Sequence, residues 1–190
     1  MISSDRGFAF CRGAISAVWV CVIGSQLGCP HGHDPARCDE ISVPVREAHY
    51  LVTGATKAEL VSSIEDAGPI WRETGKRVPA LTQLELDVNC RQEGARAVVS
   101  VSAMIVVTLP EWKAPAEATE DARAFYESRS REFRRHEFEH VAAYQRYIGE
   151  LPCALSGLAS CAAVQRAKED YMRGVMERQG QIESSWKPQW

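Results

Sequence analysis

The chain has 190 residues, 45% of them hydrophobic and 25% charged, with a formal net charge of -3 and a pI near 6.0. These values fit one globular domain with room for a short targeting segment, and they exclude a disordered tail or a fibrous repeat. A mildly acidic chain lacks the broad basic surface that nucleic acid phosphates require, so nucleic acid is not an expected partner.

Residues 1–28 read as a secretory signal peptide, because Arg6 and Arg12 precede an apolar run from Ala14 to Gly24. That run falls short of the ~20 residues a membrane-spanning helix needs. Leu27-Gly28-Cys29 resembles the bacterial lipoprotein signal, in which the cysteine is lipidated, although Gln26 stands where that signal carries an aliphatic residue. The expectation is an exported protein, periplasmic, secreted or lipid-anchored, that meets the membrane only through this segment or a lipid on Cys29. Beyond Cys29 remain Cys38, Cys90, Cys153 and Cys161. An oxidising compartment favours their pairing, and proximity alone favours Cys153 with Cys161. Residues 29–45, with Pro30, Gly32, Pro35 and Pro44, read as a tether, and His31 and His33 as a solvated pair within it.

A domain is predicted over residues 46–190. Ala48 to Val52 suits a short strand, and Thr56-Lys57-Ala58-Glu59 is a capping box opening a helix with Leu60, Val61 and Ile64 inward, stopped at Gly68-Pro69. Leu84, Leu86, Val88 and Cys90 alternate, as do Ala97 through Leu109, which predicts two antiparallel strands joined by a loop containing Gly94. Pro110 is expected to end the second strand, since proline donates nothing to a ladder. A long helix to about Glu150 places Phe125, Phe133, His140, Ala143, Tyr144 and Tyr147 on one stripe. Leu151-Pro152 is expected to break it. A second helix, roughly Ala154 to Arg178, carries Leu155, Leu158, Ala162, Met172 and Met176, and a short connection makes it antiparallel to the first. The fold class is α+β: a small antiparallel sheet packed against a helical hairpin whose first helix carries the next motif.

His136-Glu137-Phe138-Glu139-His140 is an H-E-x-x-H sequence. In a helix the two imidazoles stand one turn apart and about 40° apart around the axis, so both can grip one metal ion. Glu137 lies about 60° from His140, where a general base flanks the metal rather than ligating it. Zn2+ bound to neutral imidazoles activates water for attack on a carbonyl, and the chemistry implied is amide hydrolysis. Tyr144, one turn beyond His140, is a candidate donor to the developing oxyanion. The neighbouring Arg129, Arg131, Arg134 and Arg135 read as a salt-bridged helix side.

Several elements together resemble a bacterial family of predicted secreted zinc-dependent proteases, known as a domain of unknown function (DUF922). They are the run Tyr50 to Thr56 with Glu59-Leu60, the Gly68-Pro69 stop, Thr82, the run Thr108 to Trp112, the H-E-x-x-H at 136–140 and a following hairpin cysteine. The resemblance covers about residues 46–183 and implies a zincin-like domain in an exported protein with a zinc site. The family pattern ends in an acid followed by a Thr-x-His-Gly element, a source of a third ligand. Here Glu183 stands at the acid with no histidine after it. A catalytic zinc takes three protein ligands. Glu183, Glu169 on the second helix, or His49 remain open as the third. Two functions follow: an exported zinc metallopeptidase acting on a peptide or protein substrate, with Glu137 as general base, or a non-catalytic cell-envelope binding module on a degenerate protease-like scaffold.

Overall fold

The computed structural model describes residues 40–186. The expected signal peptide over residues 1–28, Cys29, Cys38, His31, His33 and most of the expected tether lie outside the described residues. Eight elements follow in order: β1 (Val45–Val52), α1 (Lys57–Ala67), β2 (Ile70–Trp71), β3 (Lys76–Arg77), β4 (Leu81–Glu93), β5 (Arg96–Trp112), α2 (Glu120–Leu155) and α3 (Cys161–Ser185). The architecture is mixed α+β, a three-stranded sheet in the order β1-β5-β4 with three helices and a separate β2-β3 pair. Among the described residues no helix is long and apolar enough to cross a membrane.

The sheet corrects one expectation. β4 and β5 are antiparallel, with Leu81 opposite Thr108 and Glu93 opposite Arg96, but β1 runs parallel to β5, Val45 opposite Ile105 and Val52 opposite Trp112. The sheet is therefore mixed. β1 and β5 are not consecutive: α1 and the short strands carry the chain from β1 to β4 on the far side of β5, and the β4-β5 hairpin then returns the chain parallel to β1. Gly94, with φ of +59°, opens the tight β4-β5 turn at the conformation such turns require.

β5 also runs through Pro110 to Trp112 rather than ending there. β4 pairing stops at Thr108, so the missing proline N–H interrupts no ladder bond. On that open side the Tyr126 hydroxyl donates to the Pro110 carbonyl at 3.0 Å and accepts from the Trp112 N–H at 3.1 Å, completing the edge.

The start of the domain is stitched by the predicted capping box. Thr56 accepts from the Glu59 N–H, and the Glu59 carboxylate accepts from the N–H groups of Ala55 and Thr56, which hold its pKa below the usual range. Trp112 Nε1 donates to the Gly54 carbonyl at 3.1 Å, and Thr119 N–H to the Ala55 carbonyl at 2.8 Å, so this loop fixes the entry to α2. Gly54 has φ of +137°, and a Cβ there would meet Glu59 Cβ at 2.7 Å. Gly54→Ala is expected to destabilise the fold by about 2 kcal/mol. Gly174→Ala, in open space on α3, should instead stabilise by ~0.5–1 kcal/mol through helix propensity. Urea midpoints at matched m-values check both signs.

The core forms where the inward face of β5 (Ile105, Val107, Leu109) meets Leu60 and Ile64 of α1 and Phe133, Ile148, Leu151 and Leu155 of α2. Ile41 and Val43 join it, with the Ile41 N–H bonded to the Gly149 carbonyl, so the packed chain begins before residue 46. α2 continues through Pro152 to Leu155, past the expected break. A proline in the last turn costs little there, because buried Leu151 and Leu155 hold the turn in place. The break comes at Ser156 and Gly157, whose φ is +71°. On α3 the buried stripe is Val164, Val175, Gln179 and Ile182, whereas Ala162 and Met176 are exposed.

Cys161 pairs with Cys90, not with Cys153. Cys153 is itself disulfide-bonded. Cys153 lies in α2 and Cys161 opens α3 beyond the connecting loop, while that loop is fastened to the β4-β5 ribbon. Gln92 Nε2 donates to the Ala159 carbonyl at 3.0 Å and Ala97 N–H to that of Leu158 at 3.2 Å, which sets Cys161 over Cys90.

Candidate metal centre

Both histidines of the H-E-x-x-H sequence lie on the side of α2 that faces α3 and the start of β4. His136 is 3% exposed and Glu137 4% exposed, and His140 is half-buried. Burial this deep arises because the stripe of α2 that carries Phe133 and Tyr144 also carries positions 136, 137 and 140.

α3 completes the cluster. His136 Nε2 stands 3.2 Å from Glu183 Oε2, His140 Nε2 stands 3.5 Å from that oxygen, and the two Nε2 atoms are 3.2 Å apart. His136, His140 and Glu183 are thus a group compatible with a metal ion. Glu169 lies outside it, exposed, its carboxylate accepting from Gln165 at 2.7 Å. His49 sits on β1 with Nε2 4.0 Å from Glu47, also outside the group.

Three side chains brace this cluster that sequence reasoning left without a role. Thr82, at the start of β4, donates its hydroxyl to Glu137 Oε2 at 2.7 Å and lies 3.2 Å from the Glu137 carbonyl oxygen. Gln179, one turn before Glu183, contacts His140. The Trp186 indole stacks on His136 with ring centroids 4.1 Å apart and planes inclined by 14°. The signal for Gln179 is its spacing of one helical turn from Glu183, and Trp186 follows at the C-cap of the same helix. Tyr144 is buried and lines the same cleft, a cavity of about 440 Å³ bordered by β4, α2, α3 and the β2-β3 pair.

Electrostatics follow from this packing. Burial pushes Glu137 above the usual carboxylate range, against the Thr82 hydrogen bond. Glu183 is pulled down to about 2 by its contacts with His136 and His140. Burial works against charge on His140, yet contacts with Glu183 and Gln179 and the nearby carboxylates leave its pKa raised. Burial also raises the Tyr144 phenol, which stays a neutral donor.

A pH prediction comes from these directions. The lowered Glu183 contributes stability above its ordinary value of 4.5 that is lost as pH falls through that value toward 2. The raised His140 contributes stability fully present below 6.5 that is lost as pH rises through its folded value. In metal-free protein this pair is expected to stabilise most between pH 4.5 and 6.5. A bound metal needs neutral imidazoles and should move that optimum upward. Urea unfolding across pH, with chelator and with metal, measures the displacement.

Three of the arginines expected on a salt-bridged side of α2, Arg129, Arg131 and Arg134, form ion pairs. Arg134 forms a two-point pair with Glu47 at 2.8 and 2.7 Å, Arg131 reaches Glu127 at 3.9 Å, and Arg129 pairs with Glu132.

Over residues 47–185 the sequence matches the family described as a bacterial protein of unknown function, DUF922. No curated protein and no solved structure matches.

Proposed function

The chain belongs to the DUF922 family, and on that premise we propose that it is an exported zinc-dependent metallopeptidase. The observation that carries this reading is the triangle of ligand atoms with edges of 3.2, 3.2 and 3.5 Å. In a tetrahedral zinc site with bonds of ~2.0–2.1 Å, ligand atoms stand about 3.3 Å apart. Three converging ligand atoms with one face left open match a catalytic zinc rather than a closed structural one. The scaffold is then a sheet packed against a helical hairpin whose first helix presents the motif.

His136, His140 and Glu183 hold the ion. When bound, zinc supplies Lewis acidity that activates water for attack on a carbonyl. Glu137 takes the proton from the attacking water and delivers it to the leaving amine. Its raised pKa suits holding a proton between those two steps. Thr82 fixes one carboxylate oxygen, so the proton travels on the other. Tyr144 donates its phenol to the oxyanion. The cleft receives a peptide or protein substrate, and the signal peptide, with or without a lipid on Cys29, sends the enzyme to the cell envelope.

The second reading is a non-catalytic envelope module on the same scaffold. A third ligand atom from Glu183 beside the two imidazoles favours the peptidase. Elemental analysis of protein purified without chelator, beside cleavage of mixed peptides read by mass spectrometry, tests the proposal. Near one zinc per chain with metal-dependent cleavage is expected. A protein that takes up no zinc at saturating metal would overturn it.

A further inference from the structure

We infer that Gln179 is a positioning residue that sets the tautomer of His140 and so keeps its Nε2 lone pair free for the metal, an inference that rests on the metal reading above. Gln179 is 6% exposed on α3. Its Nε2 lies 3.4 Å from the His140 carbonyl oxygen. A carbonyl only accepts, so the amide nitrogen must face it, and this fixes which way the amide points. Oε1 is thereby turned onto His140 Nδ1, with which it is in hydrogen-bond contact.

An amide oxygen also only accepts, so Nδ1 must carry the hydrogen. In a neutral ring the lone pair is then on Nε2. That nitrogen is the one 3.2 Å from His136 Nε2 and 3.5 Å from Glu183 Oε2. The opposite tautomer would aim an N–H into the ligand triangle and block it. Gln179 and Glu183 are four residues apart, as are His136 and His140, so one turn of α3 sets both a ligand and the partner of the facing ligand. An apolar side chain at 179 would leave a buried N–H unpaired and the tautomer unset.

Two measurements on the full chain test this. The first is the nitrogen spectrum of 15N-histidine-labelled, zinc-free protein on the alkaline side of imidazole titration, with the His140 signals assigned by their loss in His140→Ala. The hydrogen is expected on Nδ1. The second is zinc affinity by competition with a chromophoric chelator. Gln179→Leu should weaken zinc roughly 10–100-fold, while Gln179→Glu, which keeps an acceptor, should stay within about tenfold of wild type. Zinc affinity unchanged in Gln179→Leu, or a hydrogen on Nε2 of wild-type His140, overturns the inference. If the wild type takes up no zinc the metal reading falls, and the spectrum alone then decides Gln179. The same spectrum decides it should the leucine variant fail to fold.

Discussion

Glu137→Gln is expected to leave zinc bound and to reduce peptide hydrolysis by roughly 10²–10⁴-fold, the usual contribution of a general acid-base group. Glutamine keeps the shape of the side chain and an oxygen that can still accept from the Thr82 hydroxyl, now at 2.7 Å, but it cannot take a proton from water. The substitution also removes a carboxylate that burial strains toward protonation, so the fold should not suffer. The loss is expected in kcat, with KM little changed, because the proton transfer belongs to the transition state. Zinc content, kcat and KM measured on one preparation check all three points. Full activity in Glu137→Gln would remove Glu137 from the mechanism.

The second large effect is expected at the metal ligands. A ligand that binds only the folded state stabilises it by RT ln(1 + [L]/Kd), about 4 kcal/mol at a thousandfold excess over Kd. Wild-type protein should gain that stability in zinc. His136→Ala, His140→Ala and Glu183→Ala each remove one corner of the triangle and should gain almost none. Glu169→Ala should gain as much as wild type, since Glu169 is paired with Gln165 on an exposed face. Urea unfolding at fixed free zinc, with and without chelator, reads these differences directly. Equal zinc stabilisation in His140→Ala would mean that the metal binds elsewhere.

Much of the local structure was legible because it depends on short-range rules. The Thr56 capping box, the inward Leu60 and Ile64 and the alternation along β4 and β5 come from periods of 3.6 and 2 that a sequence displays. Where structure and sequence differ, the reasons are physical. Proline reads as a breaker by its chemistry alone, whereas Pro110 falls where no backbone partner is lost and Pro152 where packing outweighs the loss. On α3 apolar Ala162 is exposed and apolar Met176 is exposed along the cleft, while polar Gln179 is buried. A buried polar residue is invisible to a hydrophobic pattern until its partner is known.

The candidate site divides along the same line. By itself the sequence determined the two histidines on one face of α2 and the glutamate beside them, since residues 136, 137 and 140 are set by the geometry of a single helix. Only the tertiary structure chose among the acids, brought Thr82 to Glu137, stacked Trp186 on His136 and paired Cys90 with Cys161. These partners are 47, 55, 50 and 71 residues apart. Contacts at such distances depend on how β4 and α3 are laid against α2, and that arrangement is fixed by the shared core rather than by any local run of residues.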